Sequence, residues 1–304
     1  EPGQDPAEAI DARLKAFIRP FDLEQPPLIR MLIARLGEED HLLALDAHHI
    51  VVDGWSLNIL IQELMTLYQG RIPAPAPSFA TATTLEAAYR NSPQWEADLA
   101  FWRARLLALP APTDLPSRHP RPDTLDHQGE HLQLFLEADE AHELMNGARN
   151  LGVSPFVFFF AVFRLFLYRL SGRTDTVVGL PTGGRHSEEA EQMVGMFANL
   201  LPLRIAVDPG EDFAAFCKRV ARESRTALDH GRMPFTDLVA HLLESRDPGR
   251  NPFYDLLFIY EDGRDREPVL EDPVLGNPAL KNPDIRPWPI VRDSSAVDLT
   301  LEVV

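Results

Sequence analysis

The chain has 304 residues, 45% hydrophobic and 25% charged, a composition typical of a folded globular protein rather than a disordered one. Its formal net charge of −17 argues against nucleic acid or an anionic membrane surface as a partner, because both attract Lys and Arg. Solubility alone is the simpler explanation of that charge. With the single cysteine Cys217, the chain offers no internal disulfide and no zinc cluster, so we expect a protein of the reducing cytoplasm.

The first quarter of the chain predicts a helix, a hairpin and a second helix. Apolar spacing indicates an amphipathic helix over residues 6–17, and two strand-like runs follow at 28–36 and 41–47. A helix capped by Ser56 is predicted after Gly54. The run from His48 to Gly54 therefore lies in a short loop between a strand and a helix.

The rest of the chain predicts a mixture of helices and strands. Residues 71–78 are indicated as a connector, a helix follows near 94–107, and the proline-rich stretch 110–122 is the candidate crossover between two units. Two units are the better expectation for this length. Further strands are predicted at 130–136, 176–180, 200–207, 254–260 and 297–304, helices at 138–151, 212–228 and 235–243, and a loop at 262–289.

The most apolar stretch, residues 155–163, is interrupted by Arg164 and Arg169 before it reaches the roughly 20 residues that span a bilayer. It predicts a buried helix with Ser154 as N-cap and Pro155 at the first helical position. We therefore expect no membrane span, and the polar, acidic first residues give no sign of a signal peptide.

The loop from His48 to Gly54 is the best candidate for chemistry. An imidazole titrates near neutral pH, so it can accept a proton from an attacking amine or hydroxyl. Asp53 lies too far along the loop to be a partner of His49, and we expect an arginine elsewhere to hold it. Gly54 would permit a special backbone conformation or a close approach of substrate. Because no Gly-x-Ser-x-Gly elbow is present, direct transfer between two bound substrates fits better than an acyl-enzyme.

Two other interpretations of the paired histidines stay open at this point. They could be packing residues beside a common Asp-Gly turn. A metal site is a weaker alternative, because neighbouring side chains of a strand point to opposite faces, and we expect no metal.

Several further motifs resemble, in order, those of condensation domains of nonribosomal peptide synthetases, within the HHxxxDG acyltransferase superfamily. The run 48–56 resembles the family form HHxxxDGWS. The other matching stretches are Tyr89 with Trp95, 179–185, 194–204, 230–235, 246–253 and 298–301. The chain departs from the pattern at Leu200, Thr236 and Val297. The two most N-terminal family motifs are missing, so we expect a domain truncated at both ends.

The resemblance implies an α/β fold of two chloramphenicol-acetyltransferase-like lobes, each an α+β two-layer sandwich, set in a V. Residues 1–115 would be an incomplete N-terminal lobe with the His loop, and residues 116–304 a C-terminal lobe without its final tail. The implied reaction is amide formation between a donor acyl or peptidyl thioester and an acceptor aminoacyl thioester. Upstream and downstream carrier proteins, beside an adenylation domain, would present both on phosphopantetheine arms.

The resemblance also implies residue roles. His49 would position or deprotonate the amine, His48 would be mainly structural, Asp53 would lock the loop through a salt bridge with Arg185, and Gly54 would lie near the donor thioester. The candidate residues of the substrate tunnel are Trp55, Ser56, Asn199 and Ser295. Packing is the simpler role for Trp55, and a structural role for Asn199. Two functional alternatives remain: a stand-alone acyltransferase using a CoA thioester, and a non-catalytic docking domain.

Overall fold

The computed structural model describes residues 6–117, 119–261, 288 and 294–304. Mixed helices and strands confirm the predicted α/β class. The helices are α1 (Pro6–Phe17), α2 (Gly54–Tyr68), α3 (Phe79–Arg90), α4 (Pro93–Leu106), α5 (Ala138–Leu151), α6 (Pro155–Ser171), α7 (Glu188–Glu191), α8 (Phe213–Asp229) and α9 (Phe235–Leu242). The strands are β1 (Ile29–Arg35), β2 (His41–Ala47), β3 (Val177–Thr182), β4 (Asn199–Arg204), β5 (Leu256–Tyr260) and β6 (Leu299–Val303).

The chain forms two compact units. Among the described residues, unit 1 contains 6–82, 187–197 and 288, and unit 2 contains 83–117, 119–186, 198–261 and 294–304. This division differs from the predicted boundary at residue 115, because Leu99, Trp102 and Leu106 of α4 are buried in the core of unit 2. The bounds of the two family lobes stay a prediction.

Unit 1 is built on the predicted hairpin. β1 and β2 pair antiparallel from Ile29 opposite Ala47 to Arg35 opposite His41. Asp40 closes the turn, since its carbonyl accepts from the backbone N–H groups of Leu36 and Gly37. The chain then passes through the His loop into α2, as the sequence predicts.

Unit 2 is built on a four-stranded sheet in the order β4-β3-β5-β6. β3 pairs antiparallel with β4 and parallel with β5, and β5 pairs parallel with β6. Helices α6 and α8 pack together, and α8 contacts β4. The predicted strands at 176–180, 200–207, 254–260 and 297–304 are therefore confirmed, with small shifts at their ends.

Helix α6 begins as predicted. The Ser154 side chain accepts from the Val157 N–H at 3.3 Å, and Pro155 opens the helix. Arg164 is fully buried and donates to the Ile205 carbonyl from Nε at 3.1 Å and from Nη2 at 2.9 Å, and also to Thr176 Oγ1. Burial lowers the pKa of Arg164 to about 10. In the described part of the chain no single helix is long and apolar enough to cross a membrane, and α5 and α6, which pass that test only as a pair, meet at a bend of 100°.

The structure corrects one predicted strand and adds two helices. Residues 130–136 are not a strand, although Leu132 and Leu134 alternate with polar residues, because the nearest pairing is a single bridge between Gln128 and Ser294. Helices α3 and α7 are not predicted by the sequence. The predicted loop 262–289 lies outside the described residues, except for residue 288.

Candidate functional site

The first histidine of the loop is held in place by its neighbours. The His48 N–H donates to the Leu28 carbonyl at 2.9 Å, which continues the hairpin ladder one step beyond β2. Its Nδ1 accepts from the Ile50 N–H at 3.1 Å, and its ring meets the edge of Phe21 with centroids 6.2 Å apart. These contacts hold the His48 ring and backbone in place, and its structural role stays a prediction.

The second histidine differs in its surroundings. The His49 side chain is exposed and makes no hydrogen bond or ion pair with any of the residues that the structure describes. Both ring nitrogens can therefore meet an external donor or acceptor. An imidazole presented in this way can accept a proton from a substrate amine.

Asp53 fixes the other end of the loop through backbone groups. It is 3% exposed, and it is the N-cap of α2, where its Oδ1 accepts from the Ser56 N–H at 2.8 Å. Its Oδ2 accepts from the Phe197 N–H at 3.0 Å. The prediction that Ser56 caps α2 is therefore wrong. The N-cap is Asp53, one position before the helix, and the Ser56 N–H is the donor to its carboxylate. Arg185 belongs to unit 2, and its pairing with Asp53 stays a prediction.

Gly54 is the first residue of α2, and its φ is not positive. The expectation of a special backbone conformation is therefore wrong. A Cβ built at Gly54 would meet no atom within 4 Å, so the protein itself does not require glycine here. A close approach of substrate remains the predicted reason for this glycine.

Trp55 and Ser56 bind a segment that is distant in sequence but belongs to the same unit. Trp55 is 41% exposed, and its Nε1 donates to the Glu191 carbonyl at 2.8 Å. Ser56 is 0% exposed; its Oγ donates to the Gly195 carbonyl at 2.7 Å and accepts from the Gly195 N–H at 3.0 Å. We call residues 187–197 the clamp segment. Both side chains bind this segment, and their contact with substrate stays a prediction.

The two remaining tunnel candidates lie in unit 2. The Asn199 amide nitrogen donates to the Gly231 and Met233 carbonyls at 2.9 and 2.8 Å, and its oxygen accepts from the Phe235 N–H at 2.9 Å. Ser295 Oγ donates to the Val297 carbonyl at 2.7 Å. Asn199, at the start of β4, thus holds the stretch before α9, and Ser295 holds its own turn. Their predicted place in a tunnel stays a prediction.

Sequence reasoning missed the role of the clamp segment. Its residues 194–197 belong to a stretch that resembles a family motif, but nothing in that motif indicates contact with Asp53 and Ser56. The one signal in the sequence is Gly195, because a glycine can permit a close approach of another group to the backbone. That signal does not say which group approaches.

An α/β fold with a histidine loop between a strand and a capped helix agrees with the motif resemblance to condensation domains. The family model for the condensation domain matches residues 2–304, so the chain belongs to this family and the resemblance found in its motifs is confirmed. Among curated relatives, tyrocidine synthase 2 of Brevibacillus parabrevis is 34% identical over 84% of this chain. Surfactin synthase subunit 2 of Bacillus subtilis is 32% identical over 97% of it.

Solved condensation domains share the fold. The condensation domain from the Monacolin K polyketide synthase MokA has a TM-score of 0.75 and 26% identity, covering 84% of this chain and 61% of that one. The first condensation domain of the calcium-dependent antibiotic synthetase, in complex with a substrate analogue, has a TM-score of 0.69 and 28% identity, covering 86% and 57%. This chain spans 7% of the tyrocidine synthase and 8% of the surfactin synthase subunit.

Proposed function

We propose that this chain carries the acyl-transfer site of a condensation domain that forms amide bonds in nonribosomal peptide synthesis. The donor is an acyl or peptidyl thioester and the acceptor an aminoacyl thioester. The observation that carries the proposal is the contrast within the loop: His48 is tied to the backbone, whereas His49 is exposed without a partner among the described residues.

His49 accepts a proton from the acceptor amine, or orients that amine, as it attacks the donor thioester carbon. The new C–N bond forms as the C–S bond breaks, and the leaving thiolate takes up a proton. An imidazole acting as base contributes roughly 10²–10⁴-fold to such a step. Asp53 holds the loop, with Arg185 as its expected ionic partner, and Gly54 allows the donor thioester to approach.

The substrates arrive covalently attached to partner proteins. Upstream and downstream carrier proteins, beside an adenylation domain, present the two thioesters on phosphopantetheine arms. Holding two tethered reactants in line can lower the barrier as much as the base does, because it removes the entropy cost of a bimolecular encounter. We therefore expect losses at His49 to slow the reaction without abolishing it.

The test is His49→Ala in the full polypeptide that carries this chain, supplied with a loaded donor and a loaded acceptor carrier protein. Intact-protein mass spectrometry follows transfer to the acceptor. We expect a loss of roughly 10²–10⁴-fold. His41→Ala is the matched control, since His41 is an exposed histidine at the other end of β2. Unchanged turnover in His49→Ala would refute the assignment.

Two further arms separate the alternatives. A CoA thioester and a free amine replace the loaded carriers in one arm; turnover there alone would identify a stand-alone acyltransferase. In the other arm, binding of a loaded carrier is measured without transfer. Binding with no turnover by the unmodified protein would identify a docking domain.

A further inference from the structure

At least four hydrogen bonds within unit 1 attach the clamp segment to the start of α2. Trp55 binds Glu191, Ser56 binds both backbone groups of Gly195, and Asp53 binds the Phe197 N–H. The bonds of Ser56 and Asp53 are buried or partly buried, so water competes with them little. The clamp segment and the first turn of α2 therefore form one hydrogen-bonded body.

Ser56 occupies the centre of this arrangement. Its hydroxyl acts as donor and acceptor toward a single peptide residue, and no water reaches it, because the side chain is 0% exposed. Loss of the hydroxyl would leave a buried N–H and a buried C=O of Gly195 without this partner. Such groups are costly to leave unsatisfied, so the segment would shift or let water in.

Packing holds the clamp segment from another side. A Cβ built at Gly195 would overlap the ring of Phe79, and Phe79 meets the ring of Phe197 edge-on with centroids 5.2 Å apart. The segment therefore has little room to approach α3 if its bonds to Ser56 are lost. Loss of the two Ser56 bonds would weaken the attachment between the clamp segment and the start of α2, where the His loop ends.

We propose that Ser56 is a positioning residue for the amide-forming reaction: by fixing the Gly195 peptide, it keeps the α2 end of the His loop in register and so sets the place of His49. The hairpin fixes the other end through His48, and buried Val52 lies between the two ends. This inference rests on the proposed function. It assigns to Ser56 an effect that acts through His49 rather than a contact with substrate.

The experiment compares Ser56→Ala with Ser92→Ala in the full polypeptide. Ser92 is a matched control, because its Oγ donates to the Tyr89 carbonyl at 2.7 Å and accepts from the Trp95 N–H at 3.4 Å, but it caps α4 in unit 2. Turnover is measured at a temperature where thermal unfolding shows each variant to be folded. We expect Ser56→Ala to lower kcat by about 10- to 100-fold, the scale of a roughly 1 Å misplacement, with KM for the loaded carriers unchanged.

Two additional variants sharpen the test. Ser56→Thr restores the hydroxyl and should recover most of the lost kcat. Trp55→Phe removes the hydrogen bond to Glu191 at a partly exposed side chain, so it tests the inference even if Ser56→Ala fails to fold. We expect it to lower kcat less than Ser56→Ala does. Hydrogen exchange should be faster at the Gly195 amide in Ser56→Ala and unchanged there in Ser92→Ala.

The outcomes separate the two proposals. A kcat for Ser56→Ala within twofold of the unmodified protein, or an equal loss in Ser92→Ala, overturns the positioning role. Full activity of His49→Ala in the same assay overturns the proposed function instead. A loss in His49→Ala with no loss in Ser56→Ala leaves the reaction assigned and removes Ser56 from it.

Discussion

Replacing Asp53 by alanine should destabilise the start of α2 more than loss of an ordinary helix cap. The cap bond to the Ser56 N–H accounts for about 0.5–2 kcal/mol. The Phe197 N–H would also lose its acceptor in a partly buried place, which costs about 1–3 kcal/mol. We therefore expect a total of about 1.5–5 kcal/mol, and about half of that for Asp53→Asn, which retains one side-chain oxygen.

Native-state hydrogen exchange is the suitable assay, because it reports on local stability. Global unfolding of a chain with two compact units need not be a single two-state transition. A local loss of about 2 kcal/mol corresponds to about 30-fold faster exchange at the amides of Ser56 and Phe197. Asp212→Ala is the control: Asp212 caps α8 through the Ala215 N–H at 3.0 Å and is exposed. An effect of Asp53→Ala no larger than that of Asp212→Ala would refute the reasoning.

Three further substitutions test the structure of unit 2. Arg164→Met should cost about 2–4 kcal/mol, because the Ile205 carbonyl loses its buried donor, and the thermal midpoint should fall while exposed Arg169→Met leaves it unchanged. Asn199→Asp should lower the midpoint more than Asn199→Ala, because a carboxylate would face two carbonyl oxygens. Arg204→Met should speed exchange at the C-terminal end of α4, because Arg204 binds the carbonyls of Arg105 and of the C-cap Leu107 at 3.2 and 2.9 Å. Unchanged exchange would contradict that role.

The sequence predicted most helices and strands because their signals are local. Apolar spacing located α1, α8 and α9, and Ser154 with Pro155 located the start of α6 to the residue. The hairpin and the strand–loop–helix setting of the His loop followed from the same kind of pattern. Such signals need no knowledge of the rest of the fold.

Elements that depend on distant partners could not be predicted in this way. Residues 130–136 alternate like a strand, but alternation cannot show whether a neighbouring strand is available, and the described structure pairs only Gln128 beside them. In the candidate site, the hydrogen bond from the Phe197 N–H to Asp53 joins residues that are 144 positions apart. A buried aspartate predicts some partner, and the sequence favours an arginine because backbone N–H groups carry no sequence signature.

The same limit explains why local sequence patterns could not separate His48 from His49, which only the family resemblance distinguished. Both are histidines at the end of β2, and the alternation of a strand says only that they face opposite ways. The difference arises from the hairpin and the turn: the Leu28 carbonyl and the Ile50 N–H bind His48, and Phe21 contacts its ring edge-on. Because the loop is fixed at His48 and again at Asp53, His49 can stay exposed without the loop itself being loose. A base that must meet a substrate amine needs this combination of an accessible ring and a fixed backbone.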